Sequence, residues 1–145
     1  MKLELYTNDY KHLICDIYAG GVDKLTNGGM FKLLSIFGLF KSSLYVYKNN
    51  GQVVGLGCII RKLNMQSFRM ETWLAGIHVM EQFRCQSIGT NMMYDIINEC
   101  VKKKYNVISL YVDKTNIGAC RLYDKVGFWK KCTYKHYWKM EYVIK

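Results

Sequence analysis

The sequence contains no proline, although average usage would give about seven in a chain of this length. Cis-proline turns and proline-rich linkers are therefore excluded. Long uncharged segments are also missing, since the longest run without Asp, Glu, Lys or Arg is Asn49–Ile60, whereas a membrane-spanning helix needs about 20 residues. Lys2, Glu4 and Asp9 interrupt the start of the chain, which is not typical of a signal peptide. We expect a cytoplasmic protein without a membrane segment.

Closely spaced cysteine pairs are absent. The six cysteines stand at positions 15, 58, 85, 100, 120 and 132, and only three histidines accompany them. This spacing excludes the short paired ligand motifs of zinc sites. In a reducing compartment such cysteines remain free thiols. The sequence therefore predicts free cysteines and no bound metal.

The composition that is present is typical of a globular protein, with 50% hydrophobic and 22% charged residues. There is no Gly/Ser-rich linker, repeat or low-complexity tract, so we expect a single domain over residues 1–145. The formal net charge is +10. Such a charge favours a polyanionic partner, either a nucleic acid, a membrane surface or a phosphate-rich cofactor, and does not distinguish among them.

The hydrophobic periodicity predicts a strand, two helices, three strands, a helix, a strand, a helix and two strands. The first two helices are indicated by apolar stripes over Tyr10–Tyr18 and Met30–Phe37. Asn50-Gly51 is typical of a tight hairpin turn. The later elements are a helix from Ile88 to Val101, a strand at Val107–Val112, a helix over Asn116–Val126 that ends before Gly127, and strands at Phe128–Tyr134 and Tyr137–Ile144. This order predicts an α/β fold with a mostly antiparallel sheet.

A candidate anion site follows the strand at Glu71–Met80. The chain passes through a short loop and opens an amphipathic helix at Ile88. The first amides of a helix have no internal partners, and together with the helix dipole they suit a pyrophosphate. Arg84, at the entry to the loop, can add a charge-assisted hydrogen bond to a phosphate oxygen.

Two segments of the chain, Arg84–Gly89 and Asn116–Phe128, together resemble the motifs of a known family, the GNAT-type N-acetyltransferases. Arg84–Gly89 resembles their phosphate loop, Arg/Gln-x-x-Gly-x-Gly/Ala, and Asn116–Phe128 matches their Asn-x-x-Ala-x-x-Leu-Tyr-x-x-x-Gly-Phe segment in full. The hairpin at Asn50–Gly55 is similar to their second and third strands. The resemblance covers about Ser43 to Phe128. It implies a mixed, mostly antiparallel sheet of about seven strands flanked by about four helices, with strands four and five splayed.

The resemblance also implies a reaction. Acetyl-CoA would be the co-substrate, and a primary amine of a small molecule, peptide or protein would attack its thioester directly. The main-chain N–H of Val79 would donate to the thioester oxygen, and Tyr123 would protonate the leaving sulfur. The residues implied for binding the cofactor are Ile77, His78, Val79, Arg84, Cys85, Gln86, Ser87, Ile88, Gly89, Thr90, Asn116 and Tyr123. The resemblance does not identify the acceptor amine. It is compatible with a homodimer but does not predict one.

The chain departs from the family pattern at four positions. Ser87 replaces the first loop glycine, and Cys85 stands where many members carry glycine. Trp73 and Tyr111 occupy the two positions at which branches of the family carry a general-base carboxylate. The sequence therefore assigns no substrate of those branches.

The sequence does not decide which residue acts as the general base. Three residues are candidates, and a reaction without a dedicated base is a fourth possibility. Period-two counting puts Glu71 on the strand face of Trp73, Ala75, Ile77 and Val79, and His78 on the other face. Glu71, acting through a water molecule, is then the first candidate catalytic base, and His78 and Glu81 are the others. A reaction without a dedicated base is the leading interpretation.

Two alternative functions remain. Ser87 and the missing carboxylates are compatible with a CoA-binding module whose catalysis is weak or lost. The net charge of +10 is compatible with a nucleic-acid-binding domain, although the basic residues are spread over the chain and no nucleic-acid motif is present.

Overall fold

A computed structural model describes residues 1–6 and 40–145. Its strands are β1 (Lys2–Leu5), β2 (Phe40–Asn49), β3 (Gln52–Asn64), β4 (Arg69–Val79), β5 (Val107–Asp113), β6 (Trp129–Tyr134) and β7 (Tyr137–Val143). Its α-helices are α1 (Ile88–Lys102) and α2 (Ile117–Val126), and a 3-10 helix spans Glu81–Phe83.

All seven strands form one sheet in the order β1-β2-β3-β4-β5-β7-β6. Five neighbouring pairs are antiparallel and β4 pairs with β5 in parallel, so the expected mixed, mostly antiparallel sheet is confirmed. The parallel ladder covers only Thr72↔Ile108 and Trp73↔Ser109. Pairing between the two central strands is therefore confined to the first half of β4.

The helix count differs from the expected four. Two α-helices lie in the described part of the chain, and both were predicted. The predicted helices at 10–18 and 30–37 fall within residues 7–39, outside the described residues. None of the described helices has the length and hydropathy to span a membrane. All five described cysteines are free, in agreement with the prediction.

Both helices pack on the same face of the sheet, which we call the helical face. Met92, Met93 and Ile96 of α1 are completely buried there against strand residues that include Ile108 and Leu110. The α2 residues Cys120, Tyr123 and Val126 belong to the same cluster. The opposite face of the sheet carries Ile60 and Trp73, which are buried together.

Local sequence signals account for three boundaries. Asn50 (φ 50°) and Gly51 (φ 80°) form the two-residue turn between β2 and β3, as a type I′ turn requires. The Asn116 side chain caps α2 by accepting a hydrogen bond from the Ala119 N–H at 3.0 Å. Gly127 adopts φ 100° just beyond the helix, the left-handed position that favours glycine.

A β-bulge in β4 overturns one expectation about strand faces. Opposite the step from Cys58 to Leu56 in β3, β4 advances three residues, from Ala75 to His78. The bulge includes Gly76 at φ 60°, and one extra residue reverses the alternation of side chains. The prediction that Ile77 and Val79 share a face with Glu71 and Trp73 was therefore wrong.

The register fixes which residues actually share a face. Leu56, Cys58, Ile60 and Lys62 alternate along β3 and pair with His78, Ala75, Trp73 and Glu71. His78 is consequently on the face of Trp73 and Glu71, opposite to the helices. Val79 pairs with Gly55 and lies on the helical face.

Candidate functional site

A cleft of about 540 Å³ lies where the end of β4 meets the beginnings of α1 and α2. Nearly all of the residues that the sequence predicted to bind the cofactor lie together in this cleft. The predicted residues that line the cleft are Ile77, His78, Val79, Arg84, Cys85, Ser87, Ile88, Gly89, Thr90, Asn116 and Tyr123. Gln86 does not line it and donates a hydrogen bond from Nε2 to the Gln82 carbonyl at 3.2 Å.

The N-terminus of α1 opens into this cleft without a side-chain cap. Ser87 is the N-cap residue, but its hydroxyl makes no capping hydrogen bond. The first intrahelical bond runs from the Asn91 N–H to the Ser87 carbonyl at 3.0 Å, which leaves the amides of Ile88, Gly89 and Thr90 without helical partners. No acidic residue is present in the first turn. The amides and the positive end of the helix dipole are thus available to an anion.

Two residues of the loop adopt left-handed backbone conformations. Cys85 and Ser87 both have φ 59°, in the region that glycine enters without steric cost and other residues enter rarely. At these same two positions the sequence carries Cys85 and Ser87 where members of the GNAT-type family carry glycine in the phosphate loop. The loop therefore keeps the conformation expected of a glycine-containing loop, at a cost of roughly 1 kcal/mol or more per residue.

Arg84 ties this loop to the end of β4. Its Nε donates a hydrogen bond to the Val79 carbonyl oxygen at 3.0 Å. The side chain is exposed and lines the cleft. A permanent positive charge is therefore held beside the open helix N-terminus.

The amide of Val79 points into the gap between β4 and β5. Gly55 and Val79 are directly opposite each other, and the Met80 N–H donates to the Val54 carbonyl at 3.0 Å. This pattern makes Gly55 and Val79 a pair without mutual hydrogen bonds, so the N–H and C=O of Val79 point away from β3. The hydrogen bond from Arg84 to the Val79 oxygen agrees with that direction.

Tyr123 reaches the cleft from the second half of α2. Its side chain is 7% exposed, and its ring packs against Phe128 with centroids 5.8 Å apart. Burial raises the pKa of Tyr123 to about 12, with a smaller contribution from Cys120. The hydroxyl is therefore protonated at neutral pH and can act as a hydrogen-bond donor in the cleft.

His78 is the titratable residue of β4 that lines the cleft. Burial, and secondarily the positive charge of Arg84, lower the pKa of His78 below its ordinary value of 6.5. Its imidazole is consequently neutral at pH 7.

The structure does not bring Glu71 to this cleft. Glu71 lies near the start of β4 and lines a separate cleft of about 420 Å³. Its carboxylate accepts hydrogen bonds from Asn64 Nδ2 at 2.7 Å and from Trp73 Nε1 at 2.8 Å. Burial raises the pKa of Glu71, but these two hydrogen bonds and the charges of Lys139 and Lys62 outweigh it, so the pKa is lowered from 4.5.

Three cleft residues of α2 were missing from the predicted set. Gly118, Ala119 and Leu122 line the cleft beside Asn116 and Tyr123. The signal for two of them was present, because Ala119 and Leu122 are fixed positions of the Asn116–Phe128 motif and lie three residues apart on one helical face.

A family model described as the acetyltransferase (GNAT) family matches residues 15–128. The chain belongs to this family. The match includes β2–β5, both helices and every residue that lines the cleft. No protein of the curated set matches this GNAT chain by sequence.

Solved structures of acetyltransferases share its fold. Ribosomal-protein-alanine N-acetyltransferase from Brucella melitensis superposes with a TM-score of 0.72 at 16% identity, covering 99% of this chain and 100% of that one. Spermidine N-acetyltransferase from Vibrio cholerae, in complex with CoA and spermine, has a TM-score of 0.74 at 12% identity, with 98% and 94% covered. Arabidopsis thaliana Naa50, in complex with the bisubstrate analogue CoA-Ac-MVNAL, has a TM-score of 0.69 at 15% identity, with 99% and 98% covered.

Proposed function

We propose that this GNAT protein transfers the acetyl group of acetyl-CoA to a primary amine by direct attack on the thioester. The observation that carries the proposal is the cleft itself, in which an open helix N-terminus, the end of β4 and Tyr123 meet. The acetyltransferase structures with similar folds, one described with acetyl-CoA and one with CoA, support the choice of co-substrate.

The phosphate loop would bind the pyrophosphate of CoA. The free amides of Ile88, Gly89 and Thr90 donate to phosphate oxygens, and Arg84 adds a charge-assisted hydrogen bond. The left-handed conformations of Cys85 and Ser87 support this assignment, because they turn the loop into the helix. Asn116 caps α2, and its amide nitrogen is available to the pantetheine chain.

The end of β4 would hold the reacting thioester. Acetyl-CoA, when bound, supplies an acetyl group activated as a thioester. The Val79 N–H points away from β3 into the gap, where it donates to the thioester oxygen as negative charge develops. One such donor is typically worth roughly 2.7–4 kcal/mol of the activation barrier.

Tyr123 would act as the general acid. Its pKa of about 12 keeps the hydroxyl protonated, so that it can deliver a proton to the departing sulfur. Its location in the cleft with Val79 and Asn116 supports this role. General acid catalysis typically contributes about 10²–10⁴-fold in rate.

The acceptor class is an amine of a small molecule or of a peptide. The solved structures with similar folds include a spermine complex and a complex with a peptidyl bisubstrate analogue. We propose both classes for this chain.

The test has two parts. Differential scanning fluorimetry with acetyl-CoA and CoA measures binding, and an assay for released thiol measures transfer to a panel of diamines, polyamines, arylamines and peptides with free N-termini. A ligand at 100 times its Kd should stabilise the fold by about 2.7 kcal/mol. No Tm shift at millimolar CoA would overturn the proposal.

The same experiments separate the alternatives. Binding of CoA without thiol release on any amine would identify a CoA-binding module. A titration with DNA or RNA at two salt concentrations tests the nucleic-acid alternative, because affinity for phosphate backbones falls steeply with salt.

A further inference from the structure

We propose that His78 is the general base of the reaction and accepts the proton that the amine loses as it attacks. This inference rests on the proposed function and adds to it a catalytic residue. Three observations support it: the bulge in β4, the types of side chain that line the cleft, and the position of His78 on the face of the sheet opposite to the helices.

The bulge determines where the imidazole points. Because β4 contains an extra residue between Ala75 and His78, His78 lies on the face opposite to the helices. The open N-terminus of α1 is on the helical face. A co-substrate held by the phosphate loop and an amine deprotonated by His78 therefore reach the gap beside Val79 from opposite sides.

The other cleft residues offer no comparable base. Within residues 1–6 and 40–145, the titratable residues that line the cleft are His78, Arg84, Cys85 and Tyr123, and none of these is Asp or Glu. Arginine remains protonated in proteins, and the pKa of Tyr123 is about 12, so neither accepts a proton near pH 7. Cys85 belongs to the phosphate loop, beyond the 3-10 helix that follows β4. The neutral imidazole of His78 is therefore the remaining proton acceptor among the described residues that line the cleft.

Trp73 and Tyr111, the aromatic residues of β4 and β5 beside the gap, do not supply a carboxylate either. Trp73 of β4 and Tyr111 of β5 stack on each other with ring centroids 5.0 Å apart. Both lie on the same face of the sheet as His78, since Trp73 pairs with Ser109 and Tyr111 follows two residues later. These stacked rings stand beside the gap and carry no carboxylate.

The surroundings keep His78 in its neutral form. Across the ladder from His78, β3 presents Leu56 and Gly55, which do not titrate. The loop contributes Arg84 and Cys85, and α2 contributes Tyr123 and Asn116. Burial lowers the pKa of His78, and the positive charge of Arg84, the one charged side chain among these residues, adds to that effect.

The proton balance is complete with the groups already described. The amine nitrogen forms a C–N bond to the acetyl carbon and becomes cationic, and His78 takes its proton. The C–S bond then breaks, and the sulfur receives a proton from Tyr123. Solvent removes the proton from His78 and returns one to Tyr123.

The experiment compares wild type, His78→Gln and His78→Ala on the best amine of the panel. His136→Gln is the matched control, because this histidine has 62% of its side chain exposed and does not line the cleft. The pKa of His78 is measured by NMR titration of its imidazole in the free protein. Fluorimetry with CoA verifies that each variant is folded and binds the co-substrate.

We expect kcat of His78→Gln to fall by about 100-fold or more, with the KM for acetyl-CoA within twofold. In wild type, kcat/KM should rise with pH through the NMR-determined pKa, below 6.5, because only neutral His78 accepts a proton. This rise should be absent in His78→Gln and present in His136→Gln. Added imidazole should restore activity to His78→Ala.

Two results would overturn the role of His78 but not the proposed function. One is a kcat for His78→Gln within threefold of wild type, and the other is a His78→Gln variant whose kcat/KM still rises with pH below 6.5. Failure of the wild type to acetylate any amine would instead overturn the proposed function, and the inference with it.

Discussion

Arg84 and Val79 are joined by a hydrogen bond of 3.0 Å from the arginine Nε to the valine carbonyl. This bond connects the entrance of the phosphate loop to the last residue of β4. The side chain thus links the two halves of the proposed site, one for phosphate and one for the thioester, in addition to the backbone hydrogen bonds of the 3-10 helix between them. The remaining guanidinium nitrogens stay available to a ligand.

Arg84→Ala should weaken CoA binding while the free energy of unfolding changes little, because the side chain is exposed. A hydrogen bond to a charged group is worth roughly 1.5–3 kcal/mol, so we expect Kd to rise about tenfold or more. Isothermal titration calorimetry measures this. Arg121→Ala, an exposed arginine of α2 outside the cleft, is the control and should bind normally. Equal Kd values for the two variants would remove Arg84 from the site.

Ser87→Gly should stabilise the protein, because glycine adopts φ 59° without strain and the serine side chain provides no capping bond to lose. We expect a gain of about 0.5–1 kcal/mol in urea-induced unfolding, and an affinity for CoA equal to or higher than that of wild type. Ser67→Gly, at an exposed turn position without a positive φ, should not stabilise. Loss of CoA binding in Ser87→Gly would show that the loop assignment is wrong.

Tyr123→Phe should reduce kcat by roughly tenfold or more and leave the Kd for acetyl-CoA nearly unchanged. The ring and its packing on Phe128 are retained, so the Tm should be close to that of wild type. Stopped-flow measurement of a single turnover isolates the chemical step. Tyr94→Phe, at an exposed position of α1, serves as the control. An unchanged single-turnover rate would make Tyr123 a structural residue.

Glu71→Gln should change kcat by less than about threefold, far below the 10²–10⁴-fold typical of a lost general base, because this carboxylate lies outside the cleft. Its effect should appear in stability instead. The folded-state pKa is below 4.5, so the stabilisation by the carboxylate is present above pH 4.5 and is lost as the pH falls through the lower, folded-state pKa. Urea unfolding of both proteins at pH 7 and pH 3 measures this difference. A large fall in kcat at pH 7 would restore Glu71 as a base.

The sequence by itself determined the features that depend on a few neighbouring residues. The turn at Asn50-Gly51, the Asn116 cap and the Gly127 end of α2 follow from local backbone preferences. The two motifs predicted most of the cleft, because each motif lies on a single strand–loop–helix or helix segment.

Only the tertiary structure decided the rest. The strand order, with β7 between β5 and β6, depends on pairing between distant segments. The bulge at Gly76 depends on the register between β3 and β4. Period-two counting along β4 alone cannot predict that register. That extra residue moves His78 to the face of Glu71 and Trp73 and Val79 to the helical face. The reason is physical: a strand's side chains alternate only while its ladder is regular, and the partner strand sets the ladder.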